Sequence, residues 1–422
     1  MSPAIKCLIL LAVIALFFVT EIIPLAITAI GGAVACGLLG LIPVKQVFSG
    51  LSNSTVVLFA GMFVVGAAMF YTGLAQAIGE KVVHIFGTGE NSLMLGLMLV
   101  GTALSSVLSN TGTCACLMPV ALGICAASKN PASRQLLPMA YACGWGGIIT
   151  LVGTPPNIIG SGALTAAGLP GFSFFEFAWI GIPLSVAGIL YMLLIGKYLL
   201  PKAELDADQE IEQEIEATTH DKKKQMISGM ILLVCVIVMA LDLKFISLEM
   251  TAIIGALVCV LTGCLTEKQA YSSIDWVTIF LFAGMMPVST AMDKTGAGKL
   301  IANWAVGLMG GEPTPLIVTI VLFSISCFLT QFMSNTASAA LLCPIGIAIA
   351  KQLNADPKAV VMAIAVAASC AFATPVGTPP CTLVLGPGGY KFMDYVKCGT
   401  GLVLVCFVVS LIVIPMVWPF FP

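Results

Sequence analysis

Apolar residues form long continuous runs along the chain, separated by short polar or Pro/Gly-rich stretches. Runs of about 20 apolar residues are typical of membrane-spanning helices, whereas barrel strands alternate apolar and polar residues over about 10 positions. We therefore expect an all-α polytopic membrane protein. The spans predicted in the first half are 4–20, 24–42, 54–79, an interrupted region at 92–128, 133–168 and 176–200. Those in the second half are 227–243, 249–266, 276–292, an interrupted region at 314–351, 357–390 and 398–419.

The two halves of the chain carry the same motifs in the same order. The matched motifs are Leu-Phe-Ala-Gly-Met at 58 and 281, Ser-Asn-Thr at 109 and 334, and Gly-Thr-Pro-Pro at 153 and 377. Because the spacing between copies changes by only one or two residues, chance is a poor explanation and a duplication is expected. We assign 1–200 to repeat one and 227–422 to repeat two, joined by a linker at 201–226.

The interrupted regions 92–128 and 314–351 determine the predicted topology. Each is apolar, becomes polar at Ser-Asn-Thr and is apolar again, with arms of about 15 residues that are short for a span. We interpret each as a re-entrant hairpin that enters and leaves the membrane on one side. Each repeat then has five crossings plus one hairpin, and because five is odd the second repeat is inverted relative to the first. Inverted repeats with broken helices are typical of secondary transporters.

Composition and charge agree with this topology. Of the 422 residues, 59% are apolar and 9% are charged, far below the roughly 25% charged residues of an average soluble domain. If residue 1 lies on side A, that side receives seven Lys and the opposite side B receives eleven Lys and Arg. The positive-inside rule then makes side B cytoplasmic. The acidic linker 201–226 is expected there, in a bacterial inner membrane, with both termini outside.

The breaks within the apolar runs are the candidate functional positions. A Pro-Pro pair ends a helix and exposes carbonyl groups and a new helix N-terminus, which membranes tolerate only where they are buried in protein or line a cavity. Carbonyl oxygens together with Ser and Asn oxygens suit a hard cation such as Na⁺, and helix N-termini with Asn amides and Thr hydroxyls suit an anion. Because Arg134 is the sole arginine, an anion site would be built almost without guanidinium groups.

Paired Ser-Asn-Thr motifs, each followed by a Thr-Pro-Pro break, resemble the divalent anion/sodium symporter family over essentially the whole chain. The resemblance implies Na⁺-coupled carriage of dicarboxylate, citrate or sulfate by a homodimer with an elevator-like movement. The Na⁺ ligands it implies are Ser105, Ser109, Asn110 and the Gly153 backbone, and Thr330, Ser334, Asn335 and the Gly377 backbone. The substrate contacts it implies are Asn110, Thr111, Thr154, Asn335, Thr336 and Thr378. The sequence departs from the expected pattern at Cys381, where repeat one has Asn157.

The sequence therefore predicts a secondary active transporter of a small dianion, a C4-dicarboxylate by preference, with Na⁺ as coupling ion, no organic cofactor and no nucleic-acid partner. A Na⁺-independent anion exchanger and a sulfate or citrate carrier remain open alternatives. An intramembrane enzyme is disfavoured, because a Ser or Cys nucleophile needs a base and His84 and His220 both fall in predicted loops. A channel is the third alternative, since broken-helix repeats occur in channels too.

Overall fold

The computed structural model describes residues 2–87, 89–128, 130–201, 221–241, 245–308 and 314–420, and these are overwhelmingly helical. The predicted all-α membrane class is confirmed. Seven of the helices in the described ranges are long and apolar enough to cross a membrane, and several shorter apolar helices accompany them. Most of the predicted linker, residues 202–220 with His220, lies outside the described residues.

The described residues of the first half contain ten α-helices. These are α1 (Pro3–Thr20), α2 (Leu25–Leu38), α3 (Ser54–Tyr71), α4 (Leu74–Phe86), α5 (Glu90–Ser105), α6 (Asn110–Ser128), α7 (Leu136–Gly146), α8 (Pro155–Ala166), α9 (Ala178–Tyr191) and α10 (Lys197–Leu199). A π-helical turn at Met192–Gly196 makes α9 continuous with α10.

The second half follows the same order. Its helices are α11 (Lys222–Ala240), α12 (Leu248–Leu261), α13 (Glu267–Ser272), α14 (Trp276–Thr295), α15 (Ala297–Leu308), α16 (Pro315–Thr330), α17 (Asn335–Gln352), α18 (Pro357–Ala368), α19 (Pro379–Leu385) and α20 (Phe392–Val417). Asp221 caps α11 by accepting from the Lys223 amide at 2.9 Å. The spanning helix therefore begins within the stretch predicted as linker.

The predicted span 54–79 is wrong in one respect, because two helices occupy it. The α3 helix ends at Tyr71, and Gly73 adopts φ 74°, a left-handed conformation that interrupts the helix. A separate amphipathic helix, α4, follows and includes His84, which was expected in a loop. The second half repeats this arrangement at Gly296, with φ 76°, where α14 gives way to the amphipathic α15.

The polar motifs mark helix boundaries as the sequence predicts. Helices α6 and α17 begin at Asn110 and Asn335, directly after turns that connect them to α5 and α16. Helices α8 and α19 begin at the Pro-Pro pairs, with prolines in the first helical positions, where a missing N–H costs little. All four helix starts follow a stretch of non-helical backbone.

The two halves pack reciprocally through helices that we call the frame: α1, α2, α3, α11, α12 and α14. Helix α2 packs on α14 and α3 packs on α12. A Cβ atom at Gly61 would lie 2.7 Å from the backbone of Ala252, and one at Gly284 would lie 2.5 Å from the backbone of Ala29. Because Gly61 corresponds to Gly284 and Ala29 to Ala252, the same contact occurs twice.

The remaining large group, which we call the hairpin bundle, contains α5–α9 and α16–α20. Here α5 packs on α7, α16 and α17 on α18, α8 on α17 and α18, α19 on α6 and α7, and α9 on α20. Long-range contacts between helix ends and short turns join residues that the sequence places on one side. The contacts are Gln46–Lys294 and Asp293–Lys351 on side A, and Asn91–Lys197 and Glu90–Arg134 on side B.

Candidate anion and cation site

One cavity of about 890 Å³ lies between the frame and the hairpin bundle. It brings together both Ser-Asn-Thr tips and both Gly-Thr-Pro breaks. The two copies of each motif are more than 200 residues apart in the chain. The predicted site residues that line it are Ser109, Asn110, Thr111, Gly153, Thr154, Ser334, Asn335, Thr336, Gly377 and Thr378. The cavity continues to Glu21, Gln76 and Asp275, at helix ends on side B.

The first tip forms a compact cluster of polar atoms around Asn110. One terminal atom of its side-chain amide lies 2.6 Å from Ser105 Oγ and 3.1 Å from each of the carbonyl oxygens of Cys143 and Gly153. Ser105 Oγ donates to the Cys143 carbonyl at 2.7 Å. Residues from α5, α6, the end of α7 and the first break therefore meet at one point.

The second tip reproduces this cluster around Asn335. One terminal amide atom lies 2.7 Å from Thr330 Oγ1, 2.9 Å from the Gly377 carbonyl oxygen and 3.1 Å from that of Ala368. Thr330 Oγ1 donates to the Ala368 carbonyl at 2.7 Å. Both clusters use an amide, a hydroxyl and two carbonyl groups from equivalent positions.

The orientation of the Asn amide gives each cluster two possible roles. With its NH₂ group turned inward, Asn110 presents two N–H donors to three oxygen acceptors, one of which, the Cys143 carbonyl, also accepts from Ser105 Oγ, and the cluster is satisfied without an ion. With its carbonyl oxygen turned inward, four neutral oxygens converge, which is the ligand type that hard monovalent and divalent cations prefer. The same choice exists at Asn335, so the chemistry of the donor set fits Na⁺ at both positions.

The other predicted ligands lie in different positions. Ser105 and Thr330 lie fully buried behind the Asn side chains rather than in the cavity lining. Ser109 Oγ accepts from the Gly112 amide and Ser334 Oγ from the Ala337 amide, each at 3.1 Å, so both hydroxyls cap the helices that follow. The Cys143 and Ala368 carbonyls were not predicted from the sequence, because a backbone carbonyl has no residue-type signature.

Asn157 and its repeat equivalent Cys381 lie outside the cavity lining and are fully buried. Asn157 Nδ2 donates to the carbonyl of Thr150 at 2.8 Å and so supports the first break from behind. In the second half Gln331 has this role, donating to the Cys370 carbonyl at 2.9 Å and accepting from the Ala373 amide at 3.0 Å. Cys381 therefore changes the support of the second break rather than the cavity wall.

Charge around the cavity is unusual for an anion site. Among the lining residues that the structure describes, the charged side chains are Glu21 and Asp275, both at its side B end. A bound anion would therefore meet neutral groups near the tips, together with the N-termini of α6, α8 and α17. Each helix N-terminus carries about half an elementary positive charge. In the described part of the chain, no cluster of three His, Cys, Asp or Glu side chains could hold a metal ion.

A second cavity, of about 340 Å³, lies on side A of the same seam between frame and hairpin bundle. Its polar lining includes Thr55, Glu249, Glu176 and Lys358. Lys358 Nζ lies 3.1 Å from both carboxylate oxygens of Glu176. Ile158, on α8, lines both cavities and is only 1% exposed, so it forms part of the wall between them.

The chain is similar to known transporters over most of its length. The family described as citrate transporter matches residues 15–341 and 236–421. An uncharacterized transporter of Haemophilus influenzae is 34% identical, over 97% of this chain and 91% of its own. The sodium-dependent dicarboxylate transporter SdcS of Staphylococcus saprophyticus is 25% identical, over 96% of this chain and 84% of its own. The resemblance seen in the motifs is thereby confirmed.

A solved structure shares the fold. The YdaH transporter of Alcanivorax borkumensis, described as having an unusual topology, superimposes with a TM-score of 0.68 at 14% identity, covering 99% of this chain and 98% of that one. These relatives and structural neighbours are transporters rather than enzymes.

Proposed function

The chain belongs to the citrate transporter family and is an integral membrane transporter, and from this premise we propose that it carries a C4-dicarboxylate by Na⁺ symport. In this proposal, Na⁺ binds in the clusters around Asn110 and Asn335. The dianion binds between them, its carboxylates contacting the groups at the two tips and breaks. The substrate-contacting residues are Asn110, Thr111, Thr154, Asn335, Thr336 and Thr378.

The observation that carries the proposal is the duplicated polar cluster on either side of one cavity. Two equivalent neutral-oxygen sites favour two equivalent cations. Two equivalent tips, each with an Asn amide and a Thr hydroxyl, favour a substrate with two equivalent anionic ends. A dicarboxylate meets that description better than sulfate, which has a single anionic centre, or citrate, which has a third carboxylate.

The energetics also favour cation coupling. Moving one charge through 100 mV involves about 2.3 kcal/mol, so importing a dianion against an inside-negative potential costs roughly 4.6 kcal/mol. Two Na⁺ ions bound in the same carrier neutralise that charge. They also supply, beside the substrate, the positive charge that the lining lacks.

For transport, the cavity must open alternately to each side. In the conformation described it extends to side B, which the positive-inside argument makes cytoplasmic, so we assign this as the inward-facing state. We propose that the repeats are inverted, that the hairpin bundle moves against the frame as an elevator, and that the protein works as a homodimer with its linker in the cytoplasm.

A Na⁺-independent exchanger is the second candidate, because with the Asn amides turned inward the clusters are satisfied without an ion. A thermal-shift titration of purified protein with Na⁺, against succinate, malate, tartrate, citrate and sulfate, distinguishes the two. A ligand that binds only the native state raises its apparent stability by RT ln(1 + [L]/Kd). Symport predicts that succinate stabilises in NaCl but not in choline chloride, and that a Na⁺ gradient drives saturable uptake into proteoliposomes. Equal stabilisation in both salts would favour exchange.

A further inference from the structure

A glycine and a phenylalanine each occur at equivalent positions in both halves, but a glycine of one half contacts the phenylalanine of the other half only once. Phe59 on α3 and Phe282 on α14 occupy the same repeat position, as do Gly162 on α8 and Gly386 at the end of α19. The two aromatic rings lie edge to face across the frame, with centroids 6.4 Å apart. Both rings are buried, with 3% and 2% of their surface exposed.

Only one of the glycines contacts a phenylalanine. A Cβ atom at Gly162 would lie 2.2 Å from the Phe282 ring, so the ring rests directly on the bare backbone of α8. A Cβ atom at Gly386 would meet nothing within 4 Å. Phe59 lines the central cavity, which the breaks before α8 and α19 also border.

The helices that carry these glycines, α8 and α19, also differ in whether they contact the frame. Helix α8 packs against α3 and α14 of the frame, and Ile158 and Ser161 on it are buried. Helix α19 packs against α6 and α7 of its own bundle, while Thr382, the equivalent of Ile158, and Gly386 are exposed. The seam is therefore closed at α8 and open at α19.

From this asymmetry we propose that α8 and α19 dock on the frame alternately, Gly162 against Phe282 in the conformation described and Gly386 against Phe59 in the opposite one. The proposal rests on the proposed function, because alternation has a purpose only in a carrier. It follows from the repeat relation. Because the two halves have matching sequences, each half can adopt the conformation that the other has here. If the halves exchange conformations, the cavity closes on side B and the seam opens on side A. The smaller cavity beside Ile158 lies where that opening would form.

The sharpest test is Gly386→Val. Its side chain enters open space here, so the protein should fold and retain Na⁺-dependent stabilisation, but the opposite docking is blocked. We expect Na⁺-driven succinate uptake to fall about tenfold or more, as overpacking of a buried contact implies. Adding Phe59→Ala makes room and should restore uptake to the level of Phe59→Ala alone. Gly31→Val is the control, because a Cβ at Gly31 meets nothing within 4 Å and Gly31 lies on the outer face of α2.

A second measurement reports conformation without substrate. Cys116 lines the central cavity, so a polar maleimide added from side B should label it once the other 14 of the 15 cysteines are replaced. Gly386→Val should hold Cys116 reactive. Gly162→Val should reduce its labelling, and Phe282→Ala should reverse that loss.

The outcomes separate this proposal from the proposed function. If wild-type protein shows no Na⁺-driven uptake, the proposed function fails, while opposite shifts in Cys116 labelling would still support alternate docking. If wild-type protein transports but Gly386→Val matches it, or if Phe59→Ala gives no rescue, alternate docking is overturned. Equal labelling of Cys116 in the two glycine variants would overturn it as well.

Discussion

Asn157 and Gln331 support equivalent loops in the two halves although they come from non-equivalent elements. Asn157 lies on α8, after the first break, and Gln331 lies in the turn after α16, before the second tip. Ser106, at the position equivalent to Gln331, instead donates to the carbonyl of Ala103 in the last turn of α5. Each half thus has one side-chain amide that holds the loop at its break, and we call this residue the clamp. Asn157 follows the loop in the first half, whereas Gln331 precedes it in the second. Because Gln331 does this in the second half, the position equivalent to Asn157 can be Cys381.

We expect Gln331→Ser to destabilise the second break. The change removes the donor to the Cys370 carbonyl and the acceptor of the Ala373 amide, and leaving buried backbone groups unpaired costs about 1–3 kcal/mol. Thermal unfolding in detergent measures the loss. The double variant Gln331→Ser/Cys381→Asn installs the first-half arrangement and should recover part of it. No loss in the single variant would show that Gln331 is not a clamp.

Removal of a cluster hydroxyl should weaken Na⁺ binding. Ser105→Ala and Thr330→Val each delete an oxygen adjacent to an Asn amide, and we expect the Na⁺ concentration for half-maximal thermal stabilisation to rise about tenfold in each. Ser106→Ala is the matched control, because its hydroxyl donates to the Ala103 carbonyl of α5 and not to the cluster, and it should titrate like wild type. A Ser105→Ala protein with wild-type Na⁺ dependence would remove the first cluster as a cation site.

Asn110→Asp and Asn335→Asp should uncouple the cation from the anion. Without Na⁺, a carboxylate facing carbonyl oxygens cannot donate as the amide does, so stability in choline chloride should fall. Na⁺ should restore it, since the carboxylate is a better cation ligand. Dianion uptake should be lost, because like charges about 4 Å apart repel by about 4 kcal/mol at an effective dielectric of 20.

Asn53→Asp is the control for these two variants. Asn53 Oδ1 accepts from the Thr55 amide at 2.8 Å as the N-cap of α3, a role that a carboxylate fills equally well. This variant should transport normally. If one tip variant, Asn110→Asp or Asn335→Asp, transports while the other does not, a single-sided anion site must replace the symmetric one.

The frame contacts should tolerate no added methyl group. In Gly61→Ala and Gly284→Ala the new Cβ meets the backbone of the facing helix, and we expect each to lower unfolding stability by about 1–3 kcal/mol. Gly31→Ala, on the open face of α2, should be neutral or stabilising, because alanine favours a helix over glycine by up to about 1 kcal/mol. Unequal effects of the two buried variants would show that the frame is less symmetric than its contacts suggest.

The sequence predicts the positions where chemistry is concentrated better than it predicts how those positions are completed. Ser-Asn-Thr and Gly-Thr-Pro-Pro interrupt apolar runs, and the cost of such breaks in a membrane makes them visible. The hydroxyl of each cluster, from Ser105 or Thr330, was predicted only through the family resemblance. The carbonyls of Cys143 and Ala368 and the clamp at Gln331 depend on which loop faces which helix, and residue type does not encode that.

The amphipathic helices α4 and α15 were not predicted from the sequence. Residues 54–79 read as one apolar run because the moderately apolar α4 follows α3 after only two residues. The left-handed Gly73 separates them, and a glycine inside an apolar run does not by itself distinguish a bend from a continuous helix. The matching break at Gly296 was the available signal, since both halves place Thr-Gly at this point.

The crossed contacts of Gly61 with Ala252 and of Gly284 with Ala29 bear on ancestry and on folding. A half made alone would expose on α2 and α3 the surfaces that α14 and α12 cover, and a second copy of the same half carries the residues to cover them. Such a self-complementary interface is the kind that holds a two-fold dimer together. Gene fusion would have turned an intersubunit contact into an intramolecular one. Residues 1–201 and 221–422, expressed as separate polypeptides, should accordingly reassemble.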